Sequence, residues 1–196
     1  MAQQKPETFL DLFLRLWRVH RVLPFIKKVP DCRLLDIGCG WEARFLREVE
    51  PYITKGVGLD PKAPVLEQET KLTIMRERLD RVLPLEPASF DVVTMLAVLE
   101  HLSEPRAIVE EVWRVLRPGG WFVGTVPSYL GKPLMEFLAY RLHIISEEEI
   151  RDHKSYYGHK SLRALLTSTG FSEIGHKYFQ LGMNNFFYAQ KPSSIE

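Results

Sequence analysis

Three features of the sequence predict an α/β fold, with a mostly parallel sheet covered by helices on both faces and ended by an antiparallel hairpin. Short apolar runs alternate with segments of helical spacing through most of the chain. The runs are apolar on successive residues, as strands buried on both faces require. Near the end, the aromatic-rich segments 171–179 and 184–190 are joined only by a link around Leu181-Gly182-Met183. A link that short permits only an antiparallel pair.

The elements follow in order. Residues 8–28 carry apolar side chains at helical spacing, interrupted by Arg15, Arg18, His20 and Arg21, and the helix must stop before Pro30. Residues 33–37 form a first buried strand that runs into Gly38-Cys39-Gly40. Segment 42–50 puts Phe45, Leu46 and Val49 on one helical face and ends before Pro51. Residues 56–60 make a second strand halted by Pro61, 72–75 a third, and 90–96 a fourth that is almost wholly apolar after Asp91. Helical spacing returns over 104–116, through Ile108, Val109, Val112 and Trp113. Pro118-Gly119-Gly120 then turns the chain into a fifth strand at 121–126. A helix over 160–169 stops at Gly170 ahead of the final hairpin.

At 196 residues the chain fits one domain with a sizeable core. Its hydrophobic fraction of 45% and charged fraction of 26% are ordinary for a globular protein, and a net charge of +1 gives no footprint for nucleic acid. The two cysteines, Cys32 and Cys39, make no sensible disulfide framework, and the first residues lack the features of a secretory signal. A reducing, cytoplasmic setting is expected. No apolar run approaches the roughly 18 residues needed to span a bilayer.

In an open α/β sheet, ligands bind beyond the carboxyl ends of the strands, so the loop after the first strand is the first candidate site. Gly38 and Gly40 adopt backbone angles closed to other residues and let a ligand approach the main chain. The helix that follows offers unpaired N–H groups and partial positive charge to a carboxylate. Taken alone, Gly38-Cys39-Gly40-Trp41-Glu42-Ala43 also fits the fingerprint of dinucleotide enzymes, or a purely structural turn. Asp60 closes the second strand about 20 residues further on, where an acid accepts the hydroxyls of an adenosine ribose; as a structural residue it would cap the turn before Pro61. Together these features indicate an adenosine-containing cofactor. Asp36 favours S-adenosylmethionine (SAM) over a nicotinamide dinucleotide, because a carboxylate there repels a pyrophosphate and attracts an amino group and a sulfonium. As a structural residue it would only hydrogen-bond the glycine loop.

LLDIGCG, GVGLD, ASFDVVTMLAVLEHL, LRPGGWFVGTVPS and HKSLRALLTSTGF closely resemble, in order and spacing, successive motifs of the class I SAM-dependent methyltransferases. They look like the small bacterial enzymes that act on small molecules, lipids or glycans. The resemblance covers residues 34–190. It implies a Rossmann-like three-layer sandwich with a mostly parallel seven-stranded sheet, and SAM as the cofactor. Carried over by position, it assigns Asp36, Gly38 and Gly40 to the methionine end, Asp60 to the ribose, and Leu79-Asp80 to the adenine. Residues Ala97 to His101 fall on the sulfonium side, and Cys39, Trp41, Pro61 and Leu96 complete the shell. One departure stands out: where many relatives have a glycine two positions after Gly40, this chain has Glu42, preceded by Trp41. Either the loop is shaped differently, or Trp41 lies over the cofactor, or the copy is degenerate. Retained binding is expected, because the other positions are intact.

The expected reaction is methyl transfer from SAM to a small-molecule, lipid-linked or glycan acceptor, with oxygen slightly ahead of nitrogen and carbon. An oxygen acceptor needs a base, and the candidates are His153 and His101, with His159 as a cap-region residue. The whole chain, 1–196, reads as one methyltransferase domain. Residues 1–29 would be a helical lid, able to touch a membrane surface peripherally, and 127–158 an acceptor-side insertion. The alternative is a non-catalytic SAM-fold protein that regulates or scaffolds a partner. No metal-site, nucleophile-elbow or phosphate-loop pattern occurs, and neither does the Asn/Asp-Pro-Pro-aromatic motif of nucleic-acid methyltransferases.

Overall fold

The computed structural model describes residues 9–64, 71–79, 82–129, 131 and 156–193. The elements run α1 (Phe9–Lys27), β1 (Arg33–Ile37), α2 (Arg44–Val49), β2 (Lys55–Asp60), β3 (Leu72–Arg76), β4 (Phe90–Leu96), α3 (Pro105–Val115), β5 (Leu116–Pro127), α4 (His159–Ser168), β6 (Ser172–Phe179) and β7 (Asn184–Gln190). All seven strands join one sheet in the order β3-β2-β1-β4-β5-β7-β6. The first five are parallel, and β7 returns antiparallel between β5 and β6. This is the Rossmann-like architecture expected from the sequence, with the terminal hairpin where the short link required it.

Each strand feeds both faces because successive side chains point to opposite sides. Leu35, Val93, Phe122 and Phe187 pack under α3 and α4, against Ile108, Val112, Leu162 and Leu166. Leu34, Val92, Val123 and Phe186 pack on the other face with α1 and α2, against Val22, Ile26, Phe45 and Leu46. The Phe122 and Phe187 rings meet edge to face at 5.2 Å, an arrangement worth roughly 0.5–1.5 kcal/mol beyond area burial. No helix among the described residues is long and apolar enough to cross a membrane.

Several boundaries differ from the pattern reading, each for a local reason. The second helix starts at Arg44 and not Glu42, because Ala43 takes a left-handed φ of 48° that no helix can include. The first helix, by contrast, keeps the expected extent and runs through Pro24, which removes one backbone donor. Pro118-Gly119-Gly120 is not a turn into a fresh strand. It is a bulge within β5: Phe90 pairs with Leu116 and Val92 with Trp121, so extra residues on β5 are absorbed at Gly119, whose φ is 78°.

The order of strands places the switch point between β1 and β4. Chain leaving β1 proceeds towards β2 and chain leaving β4 towards β5, the point at which open α/β sheets seat their ligands.

Candidate active site

Two loops build the site. The first leaves β1 at Ile37, turns through Gly38 (φ 77°) and Gly40 (φ 72°), and enters α2 at Arg44. Both angles lie in the left-handed region that favours glycine. A side chain at Gly38 would clash with Val98 of the loop beyond β4, so the two loops are in direct contact there. Around Gly40, by contrast, a Cβ would meet nothing within 4 Å beyond its chain neighbours, so the main chain is open to a ligand.

Asp60 holds this loop in place. Its Oδ2 accepts the Gly40 N–H at 3.0 Å and its Oδ1 accepts the Lys62 N–H at 2.7 Å. The Gly38 N–H donates to the Leu59 carbonyl at 2.7 Å. Asp60 therefore both orders the glycine loop and closes its own turn at Pro61, and each of its oxygens keeps a further lone pair for a hydroxyl donor. The structural reading of this residue and the ligand reading are compatible.

Asp36 is 2% exposed and lies beneath the loop. The Thr94 hydroxyl is 2.7 Å from its Oδ1, since β1 and β4 pair Asp36 with Thr94 in register. Burial pushes its pKa up from 3.8 to about 7; the Thr94 hydrogen bond opposes this and the Asp60 charge adds to it. A buried acid poised near neutrality takes its charge readily once a cation arrives beside it. Thr94 was missed from the sequence; the available signal was a polar residue in an otherwise apolar strand.

The second loop leaves β4 through Ala97, which takes a φ of 58°, and a 3₁₀ turn at Leu99–His101. The Ala97 N–H donates to the Thr125 carbonyl of β5 at 2.9 Å. His101 is half-buried, whereas Glu100 is 1% exposed, with its Oε2 unpartnered among the described residues. Burial raises the Glu100 pKa to about 7, partly offset by its own backbone N–H and by the Arg18 charge from α1. Glu100 thus ties the second loop electrostatically to α1. Sequence spacing pointed to His101 and gave no sign that its neighbour is the buried group.

The remaining expected residues divide. Leu96 packs against the α1 face of the core, and Leu79 packs with the apolar cluster under α3. Cys39 is buried, with its thiol pushed far up by burial, so it is an inert packing group. Trp41 is half-exposed at 51%. Glu42 is ion-paired with Arg44, and its carbonyl accepts a bond from Arg47 at 2.9 Å. The departure from the expected glycine is therefore accommodated by a left-handed Ala43 and a local ion pair. Asp80, His153 and most of the 127–158 insertion lie outside the described residues. No cluster of three or more potential metal ligands occurs among the described residues.

Chemically, the two loops bring together a buried acid at Asp36, an acid with lone pairs left for hydroxyl donors at Asp60, and an open main-chain approach at Gly40. Such a set suits a cofactor carrying an amino group and a ribose, and it disfavours a pyrophosphate.

Residues 35–124 match the family described as a methyltransferase domain. The chain is 27% identical over 167 residues to the ubiquinone biosynthesis O-methyltransferase of Vibrio cholerae, covering 81% of this chain and 68% of that protein. It is 36% identical over 152 residues to the protein of the same name from Paraburkholderia phymatum, covering 63% of this chain and 65% of that one. Among solved structures, the fold is similar to that of a SAM-dependent methyltransferase from Mesorhizobium loti, with a TM-score of 0.66 and 19% identity over 87% of this chain and 97% of that one.

Proposed function

We propose that this chain is a class I SAM-dependent methyltransferase and that it methylates an oxygen of a small, apolar, hydroxylated acceptor. The observation that carries the cofactor assignment is the buried Asp36 under a glycine loop that is open at Gly40. In this reading Asp36, Gly38 and Gly40 take the methionine end, with Cys39 and Trp41 completing the loop. Asp60, backed by Pro61, receives the ribose hydroxyls, and Leu79 with Asp80 flanks the adenine. Leu96, Ala97 and His101 line the sulfonium side.

SAM supplies a methyl group on a sulfonium, open to in-line displacement. The protein's part is positioning and proton removal. The second loop leaves β4 through the left-handed Ala97 and carries His101 at the end of its 3₁₀ turn, which in this reading borders the sulfonium side. In this reading His101 is the base for an acceptor hydroxyl, and His153 is the other candidate.

The choice of oxygen rests on the curated relatives, whose names specify O-methylation. An apolar acceptor is favoured by the carboxyl rim. There Phe13 and Leu16 of α1, Tyr129 after β5 and Leu181 in the β6–β7 turn are exposed, Leu181 at 95%. Gln180 donates to the Leu14 carbonyl at 3.4 Å, which joins that turn to the first half of α1. α1 serves as a lid at this end, and the same side chains would give peripheral contact with a lipid surface. The test is formation of S-adenosylhomocysteine over a panel of apolar phenols, alcohols and amines. Turnover with the hydroxylated members and not their amino counterparts is expected; turnover confined to amines would overturn the oxygen assignment. His101→Gln should lower kcat by about 10²–10⁴-fold with little change in SAM binding if it is the base.

A further inference from the structure

A second concave site lies on the α1 face of the sheet, with no lining residue in common with the glycine loop. It is a groove of about 660 Å³ between α1 and strands β5, β7 and β6, within the range of small-molecule sites, roughly 300–1,000 Å³. We propose that this groove binds a flat aromatic anion.

The floor is aromatic and half-buried. Phe25 meets Trp121 at 5.3 Å and Tyr188 at 5.0 Å, and Trp121 meets Tyr188 at 5.9 Å, all edge-on or tilted. The Tyr188 ring lies across the backbone of β6 at Gly175, the position at which any side chain would clash with it. A glycine at that site lets the ring lie down against β6. Such a surface gives an aromatic ligand both faces and edges to stack on.

The rim is cationic. Arg21 of α1, Lys28 just beyond its end and Lys177 of β6 line the groove, with His20 and with Glu173 as the single acid among the lining residues. Arg21, Lys28 and Lys177 form no ion pair among the described residues. Lys28 instead sits 5.5 Å from the Phe25 ring and 5.9 Å from the Trp121 ring, so its charge is already held over the floor. Unpaired cations on both walls of an aromatic trough select a ligand with a flat body and a carboxylate, sulfonate or phosphate at its edge.

The test uses anilinonaphthalene sulfonate, a flat aromatic anion that fluoresces in apolar surroundings, and its uncharged parent phenylnaphthylamine. Saturable binding of one equivalent is expected, undisturbed by saturating S-adenosylhomocysteine. The pair Arg21→Glu and Lys177→Glu should weaken it about tenfold or more, and the uncharged parent should bind correspondingly less well. Melting temperature controls for folding, and Lys28→Glu, at an exposed position, tests the same point with a single change. The proposal is overturned by absence of saturable binding, by displacement with S-adenosylhomocysteine, or by charge reversals that leave affinity unchanged.

Discussion

Asp36 has two opposed consequences that a single substitution separates. Its folded pKa is raised from 3.8 to about 7, so the folded state favours the neutral acid. The stability this gives is fully present below 3.8 and is lost as pH rises through about 7. Asp36→Asn should therefore leave the cofactor-free protein little changed in acid and stabilise it near pH 8, by on the order of 1–3 kcal/mol. Thermal melts across that range check the sign. Cofactor binding should move the other way. A cation beside Asp36 favours its ionised form, so SAM binding should release up to one proton near pH 7 and tighten from pH 6 to 8. Calorimetry in buffers of different ionisation heat measures that proton, and in Asp36→Asn it should vanish along with much of the affinity. A pH-independent affinity in the wild type would mean that Asp36 does not meet the cation.

At the scale of elements, contacts between neighbouring segments set the shape of the site. Gly38→Ala forces a methyl group into Val98 at a backbone angle that already disfavours it. A loss of about 1–3 kcal/mol is expected in urea unfolding, and Val98→Ala should recover only the steric part. A second junction lies at the far end of the sheet. Lys191, 6% exposed, donates to the carbonyls of Trp113 and Leu116 at 2.7 and 2.8 Å and stands 3.9 Å from the Trp113 ring. It caps α3 at the point where the chain enters β5. Lys191→Met removes both bonds and should cost about 1–3 kcal/mol without altering cofactor affinity. The lid is tested from α1: Phe13→Ser with Leu181→Ser should raise KM for an apolar acceptor several-fold and leave SAM binding unchanged. Equal effects on both would place these side chains in the fold and not in the acceptor rim.

Across the whole molecule, what was legible in the sequence follows the range of the forces involved. The parallel strands could be read because both of their faces are buried, and the hairpin because its link is too short for anything else. The left-handed angles of Gly38 and Gly40 and the turn closed by Asp60 could be read because backbone freedom and short-range capping are local properties. Three features were not legible. The Asp36–Thr94 bond depends on the register between β1 and β4, 58 residues apart. The burial of Glu100 depends on α1 lying beside it. The path of the chain at Glu42 depends on a left-handed Ala43, an uncommon angle that a local pattern does not predict. The central claim is that this loop, braced by Asp60, is the SAM site. Calorimetric titration of S-adenosylhomocysteine into the wild type and Asp60→Ala tests it most directly. Binding by the wild type that weakens about tenfold or more in the variant is the predicted result; equal affinities in two folded proteins would contradict it.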